Sequence, residues 1–363
     1  MTVTSEQIKT RAREMGFDRC GIASIGPHPE QDALAGWLSR GYGAGMVWLA
    51  RSAHRRADVR RILPSARSVI VTAASYHVDR SAVIDSTSPD TALIARYARC
   101  EDYHRVVGRR LDGLVKWIRE VEAGPFEARV SVDSGPVQEK VFARHGGLGW
   151  IGKNTCLVNA DLGSWVVLGA VVSSLDLEHD EPVDDGCGAC TACLEACPTG
   201  ALVEPHVLDA RRCLAYLTVE HRGSIPPERR EDVGRHLYGC DICQEVCPWN
   251  PRAATTAVIE WRPRESLQHP RLVDLWRRSD AELTALVEGT PMARARSAQL
   301  RRNLALAIGN SGASDGTAVL TCGGEGGQCT GTPSGADPNV REHVEWALHR
   351  LAAGRHHHPR GTS

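Results

Sequence analysis

Cysteine spacing constrains this chain more than any other feature. Thirteen cysteines occur in 363 residues, and eight of them lie between positions 187 and 247. The segment opens with Cys187-x2-Cys190-x2-Cys193-x3-Cys197-Pro198 and closes with Cys240-x2-Cys243-x3-Cys247-Pro248. Three thiolates at a period of three wrap one iron–sulfur cubane in a tight loop, and the next turn sends a fourth thiolate to a neighbouring cluster. The proline after each run ends the loop with its φ fixed. Structural zinc sites also use Cys-x2-Cys pairs, but three such cysteines followed by Cys-Pro is the more specific signature of a [4Fe–4S] centre.

The second run is one cysteine short, because Leu237 stands where the first ligand is expected. Cys213 is the natural donor, with an insertion between it and Cys240. The expected sets are Cys187, Cys190, Cys193 and Cys247 on one cluster, and Cys197, Cys213, Cys240 and Cys243 on the other. Their crossed fourth ligands follow the bacterial ferredoxin pattern. Two adjacent clusters imply electrons moved one at a time from a reductant. Cys20, Cys100, Cys156, Cys322 and Cys329 are isolated, with no role as a nucleophile expected.

The rest of the chain reads as an ordinary folded protein, 42% hydrophobic and 24% charged, with a formal net charge of −1. No apolar run reaches the ~18 to 20 residues that span a bilayer, so no membrane association is expected. The N-terminus is a polar start into an amphipathic helix, not a signal peptide. The expected address is cytoplasmic, where cysteines stay reduced and a cluster of them reads as metal-binding. A monomer is the default.

Helical and strand patterns alternate over 1–175. Apolar residues at Val106, Val107, Leu111, Leu114, Trp117 and Ile118 predict a helix over 103–121. Strands are predicted at 67–75, 128–132 and 165–173. The expectation is an α/β or α+β N-terminal domain (1–175), a ferredoxin-like double-cluster domain (176–262) and a helical C-terminal region (263–363). Helices at 300–308 and 340–351 resemble a HEAT-type pair, separated by a Gly/Thr/Pro-rich loop from Thr321 to Pro338 that should be exposed. His356 to His358 is given no function. Neither a P-loop nor a strand-borne GxGxxG occurs, so nucleotide cofactors are unsupported.

Charge is uneven. Six arginines between Arg51 and Arg67 (Arg51, Arg55, Arg56, Arg60, Arg61, Arg67) face the single acid Asp58. Arg294, Arg296, Arg301 and Arg302 form a second basic stretch. Both are compatible with phosphate contacts, and equally with solvated helix faces.

Several segments in order resemble the epoxyqueuosine reductase family: RYARCEDYHRVV (96–107), VDSGPVQEK (132–140), GGLGWIGKNT (146–155), GSWVVLGAVVSSLDL (163–177) and YGCDICQEVCPWN (238–250). The resemblance runs from about Gly16 to the final helix. It implies a cobalamin-dependent enzyme, akin in fold to reductive dehalogenases, that removes the epoxide oxygen of epoxyqueuosine at the tRNA wobble position. Cobalamin rests on this resemblance alone.

By the same resemblance, Asp133 is the general acid, with a pKa raised by burial beside the corrin. Arg56, Arg96, Tyr97, Asp133, Gly149, Trp150, Lys153, Asn154, Tyr238, Gly239 and Asp241 are the expected cofactor contacts. Arg294, Arg296, Arg301 and Arg302 are the expected tRNA contacts, with a low-potential donor such as ferredoxin or flavodoxin as redox partner. His104, in Asp102-Tyr103-His104, is expected to begin a helix and not to ligate cobalt. Cys100 replaces a glycine common in the family, and a core or surface cysteine is expected there. Two alternatives stand beside this reading: a corrinoid reductive dehalogenase of a small molecule, and a non-catalytic ferredoxin-type electron carrier.

Overall fold

In the computed structural model, which describes residues 2–78, 88–313, 315–321 and 337–355, the apolar runs become the middle of one sheet. Strands β1 (Arg19–Ser24), β2 (Ser68–Ser75), β3 (Ala128–Ser131) and β4 (Val166–Ser173) pair in the order β1-β2-β4-β3. Every pairing is antiparallel, so the arrangement is α+β. All eight residues of β2 are buried, which is why its sequence is a continuous apolar run and not an alternation.

Helices cover both faces. Helices α1 (Ser5–Glu14), α2 (Pro29–Ser39) and α3 (Val47–Arg56) precede α4 (Tyr103–Val121) and α5 (Glu139–His145). A Cβ on Gly169 of β4 would stand 2.7 Å from Val107 and Leu111 of α4 and 3.2 Å from the Thr72 hydroxyl. On the face of the neighbouring Val71, a Cβ on Gly146 would meet the Val71 side chain at 2.7 Å. Successive strand residues point to opposite faces, so α4 and the end of α5 lie on opposite sides of the sheet. The apolar stripe expected on α4 is buried, with Val115 in the core and Trp117 only half-buried.

Contacts divide the chain into two units, and not at 175 and 262 as the sequence leads one to expect. The first takes Met1–Asp79, Glu101–Arg211 and Ile242–Trp261. The second takes Arg80–Cys100, Arg212–Asp241 and Arg262–Ser363. This division by contacts distributes the cysteine-rich segment over both units. The Thr321–Pro338 loop, with Cys322 and Cys329, falls almost wholly outside the described residues, as does His356–His358.

In the second unit the helices Ser297–Ser311 and Pro338–Arg355 pack face to face. A Cβ on Gly309 would lie 2.7 Å from that of Ala347, so glycine permits the close approach. Val340, Val344, Ala347 and Leu351 fill the seam. Two arginines expected on tRNA are used here instead. Arg302 is 1% exposed and donates to the carbonyls of Leu217, His221 and Gly223. Arg301 is occupied by Asp280 and by the carbonyls of Trp276 and Arg278. Neither is available to a phosphate.

Arg302→Met strands three buried carbonyls, and the expected loss is on the order of 3–5 kcal/mol. It is read as a fall in the urea midpoint. Arg294→Met, at an exposed position, should stay within about 0.5 kcal/mol.

Candidate active site

Strand β3 ends at Ser131, and the chain turns sharply through Val132–Pro136 into α5. Asp133 sits in the turn at φ 57°, a left-handed conformation that aspartate tolerates better than most residues. Gly135 is required for closeness: a Cβ there would lie 2.2 Å from the Ser131 hydroxyl. The turn is pinned on both sides. Arg56 of α3 donates to the carbonyls of Gly135 (2.9 Å) and Val137 (3.2 Å). Glu139, the first residue of α5, accepts through one oxygen from the Ser131 hydroxyl (2.9 Å) and the Asp133 N–H (3.1 Å).

The Asp133 side chain is 61% exposed. It is held by partners on neighbouring residues. The Tyr103 hydroxyl donates to Oδ2 at 2.9 Å, and His104 Nε2 lies 3.2 Å from the same oxygen. His104 Nδ1 is 2.6 Å from Asp102 Oδ1, and that carboxylate also accepts the His104 backbone N–H. Asp102 caps α4, so a helix start and a chain of three side chains come from the same tripeptide. The sequence reading of His104 as a helix-start residue holds, but it missed the link to Asp133. The signal was present in Asp-Tyr-His followed 29 positions later by Asp133, and only the fold joins them.

The buried carboxyl is Glu139. Burial pushes it from 4.5 up to about 7, and the Asp133 charge adds to this against its own backbone N–H, the Ser131 hydroxyl and Arg56. A carboxyl raised on folding favours the protonated native state. Its contribution is full below pH 4.5 and is lost as pH rises to about 7. The span is on the order of 3 kcal/mol. Glu139→Gln keeps the accepting oxygen, so stability between pH 5 and 8 should be flatter than in the parent protein. Equal slopes in denaturant titrations would refute the assignment.

Beside this turn lies a cavity of ≈ 650 Å³. Trp37, Trp48, Leu49, Val137, Trp150 and Ile151 make its walls apolar, and Asp133, Glu139, Arg56 and Lys140 bring polar groups to it. Two lining donors, Trp150 Nε1 and Arg144 Nε, are buried without a hydrogen-bond partner. Asp185 also lines the cavity, and its carboxylate accepts from the Cys187 N–H at 2.9 Å. The chamber holding Asp133 thus reaches the loop that carries the first cysteines.

That loop gathers four of the predicted ligands. Burial raises the Cys193 thiol, and the nearby Cys187, Cys190 and Cys247 raise it further. Cys247 is raised in the same way, with Cys187, Cys190 and also Cys156 contributing. Among the described residues no group of three His, Cys, Asp or Glu side chains is arranged to hold a single metal ion. Cys197 differs. Burial opposes its ionisation, but the Thr199 hydroxyl and the N–H groups of Ala201, Leu202 and Thr199 hold its thiol below the ordinary value. Cys197 and Cys243 belong to the first unit, Cys213 and Cys240 to the second.

Other expected cofactor contacts are not among the residues that line this cavity. Lys153 donates to the carbonyls of Gly188 (2.6 Å) and Cys190 (2.9 Å), bracing the cysteine loop. Asn154 accepts from the Cys156 N–H. Gly149 is needed for packing, since a Cβ would fall 2.1 Å from the Val158 carbonyl. Tyr238 is 2% exposed and gives its hydroxyl to the Pro291 carbonyl, a core role in place of the expected contact. In the second unit Asp241 accepts the Arg96 N–H, Gly239 donates to Thr218, and Tyr97 accepts from the buried Cys100 thiol. Arg294 and Arg296 are exposed. Among the described residues no helix is long and apolar enough to cross a membrane.

Residues 186–250 match the family model of a 4Fe-4S double cluster binding domain. Taken with the geometry, that match defines a class: an iron–sulfur oxidoreductase whose cysteine loop adjoins a large apolar-walled cavity. Residues 56–134 match the model described as epoxyqueuosine reductase QueG, DUF1730. Epoxyqueuosine reductase of Xanthomonas campestris pv. campestris is 40% identical over 354 residues, covering 96% of both chains. That of Gloeobacter violaceus is 44% identical over 322 residues, covering 86% of this chain and 98% of its own. The chain belongs to the epoxyqueuosine reductase family. A crystal structure of epoxyqueuosine reductase with an epoxyqueuosine-modified tRNA-Tyr stem loop superposes with a TM-score of 0.85 at 28% identity, over 95% of this chain and 89% of that one. The Bacillus subtilis enzyme, caught with its catalytic aspartate loop swung out of the active site, gives 0.84 at 27% identity over 95% and 90%.

Proposed function

We propose that this protein reduces epoxyqueuosine to queuosine at the wobble position of tRNA, with Asp133 as proton donor. The reaction replaces the epoxide by an alkene and releases its oxygen as water, so it consumes two electrons and two protons. The observation that carries the reading is the cavity itself, lined both by Asp133 and by Asp185, whose carboxylate holds the Cys187 N–H. A proton source and an electron source thus open onto one chamber.

Cys187, Cys190, Cys193 and Cys247 hold one [4Fe–4S] cluster. On spacing, Cys197, Cys213, Cys240 and Cys243 hold the second. Clusters held there would supply one-electron chemistry, with a low-potential donor as the redox partner. The apolar walls and the two unpartnered donors, Trp150 Nε1 and Arg144 Nε, fit a flat tetrapyrrole with amide carbonyls at its edge. Those residues would hold cobalamin, which would supply low-potential reducing chemistry at the substrate. Asp133 protonates the departing oxygen. Tyr103 and His104 hold its Oδ2 in place, and His104, backed by Asp102, is placed to return a proton to it.

The test is conversion of epoxyqueuosine-containing tRNA by the anaerobic, cobalamin-supplemented protein under a low-potential reductant, with nucleosides read by mass spectrometry. Queuosine is the expected product. Its absence from a preparation with full iron and cobalamin would reject the substrate.

A further inference from the structure

The basic stretch beginning at Arg51 is the sequence feature that the site leaves unused. On α3, residues three and four apart share a face. Ser52 and Arg56 are buried, and Leu49 lines the cavity. Arg51, His54 and Arg55 are exposed. Trp48 belongs to both worlds: it lines the cavity yet is 44% exposed, with the Arg56 guanidinium 5.3 Å from its ring centre.

Arg60 is taken by Asp58, and Arg67 by Asp176. Arg51, Arg55 and Arg61 are exposed and form no salt bridge among the described residues. No acid interrupts the helix from Val47 to Ala57, whereas a merely solvated face would interleave both signs. Trp48, Arg51 and Arg55 recur at i, i+3 and i+7, so one stripe runs from the cavity mouth outward.

We infer that this stripe is the RNA-docking surface of the cavity. Trp48 stacks a base of the anticodon loop at the mouth, and Arg51 and Arg55 take backbone phosphates. An exposed aromatic beside unpaired guanidinium groups is what single-stranded RNA requires, because bases stack on the ring while cations follow the backbone. The inference rests on the tRNA reading above. It also supplies what Arg301 and Arg302 cannot, since both are spent inside the second unit.

The experiment is fluorescence anisotropy of a 5′-labelled anticodon stem-loop RNA with the full, cluster-loaded chain across a salt series. For Arg51→Glu/Arg55→Glu, affinity should fall at least about tenfold, and the slope of log K against log salt should drop by about 1.5. Trp48→Ala should weaken binding by about 5- to 100-fold with its salt slope unchanged. Matched iron content and thermal midpoints establish that the variants are folded, and Arg51→Ala/Arg55→Ala replaces the charge reversal if its iron content falls. Parental affinity and slope in the α3 variants would overturn the inference, as would loss confined to Arg294→Glu/Arg296→Glu. Turnover separates the two levels. If the parent converts tRNA and the α3 variants do so equally well at subsaturating RNA, only the docking surface is wrong. If the parent neither binds nor converts tRNA, the function fails and the surface with it.

Discussion

Asp133→Asn should leave iron content and stem-loop affinity unchanged while single-turnover conversion drops by about 10²- to 10⁴-fold. The substitution isolates the proton. Asparagine tolerates the same left-handed backbone, so the turn at φ 57° is kept. Its carbonyl still accepts from the Tyr103 hydroxyl, and its N–H still reaches Glu139. The substitution removes the ionisable carboxyl, and with it the transferable proton, while keeping the shape of the side chain. Nucleoside mass spectrometry on one enzyme equivalent of tRNA reads the result, and undiminished conversion would take the acid role from this residue.

The second large effect concerns electron supply. Cys193→Ser removes a thiolate that shares its surroundings with Cys187, Cys190 and Cys247. Iron should fall from about eight to about four per chain, because one cubane is lost and the other retained. Conversion should stop altogether, since one-electron steps cannot bypass the gap. Cys100→Ser is the contrast. That thiol is buried and bonded to the Tyr97 carbonyl, so all eight irons should stay. A full iron complement in Cys193→Ser would break the ligand assignment.

Much of this was legible before the coordinates, for identifiable reasons. Buried strands write continuous apolar runs, so β2 and β4 were readable from their valine-rich stretches. Helix α4 was readable from its 3.6-residue period. Ligand cysteines keep their spacing because a metal cluster fixes the loop, which is why the two Cys runs stand out in the sequence. What stayed hidden depends on pairing across the fold. Nothing local says that Asp102, His104 and Asp133 form a line, or that Glu139 and not Asp133 is the buried acid. Arginine is ambiguous for the same reason: Arg301, Arg302 and Arg56 turn inward to satisfy carbonyls, while Arg51 and Arg55 do not. A sequence records the charge, and only the packing decides whether it is spent. Composition divides the chain by sequence segments, whereas contacts divide it into two units that each draw on several segments.

The interleaving of the two units carries a consequence for how the protein is made. The first unit draws on chain as late as Trp261, so it cannot close while a ribosome is still adding residues in the two hundreds. Cys187, Cys190 and Cys193 emerge well before Cys247, and for that interval the nascent chain presents three thiols without the fourth. With the ligand set proposed above, iron delivery to that cluster would wait for Cys247, and chains released early would lack the last stretch of the first unit. Thiol oxidation in that interval would compete with assembly, making the reducing power of the surroundings a condition of assembly as well as of turnover.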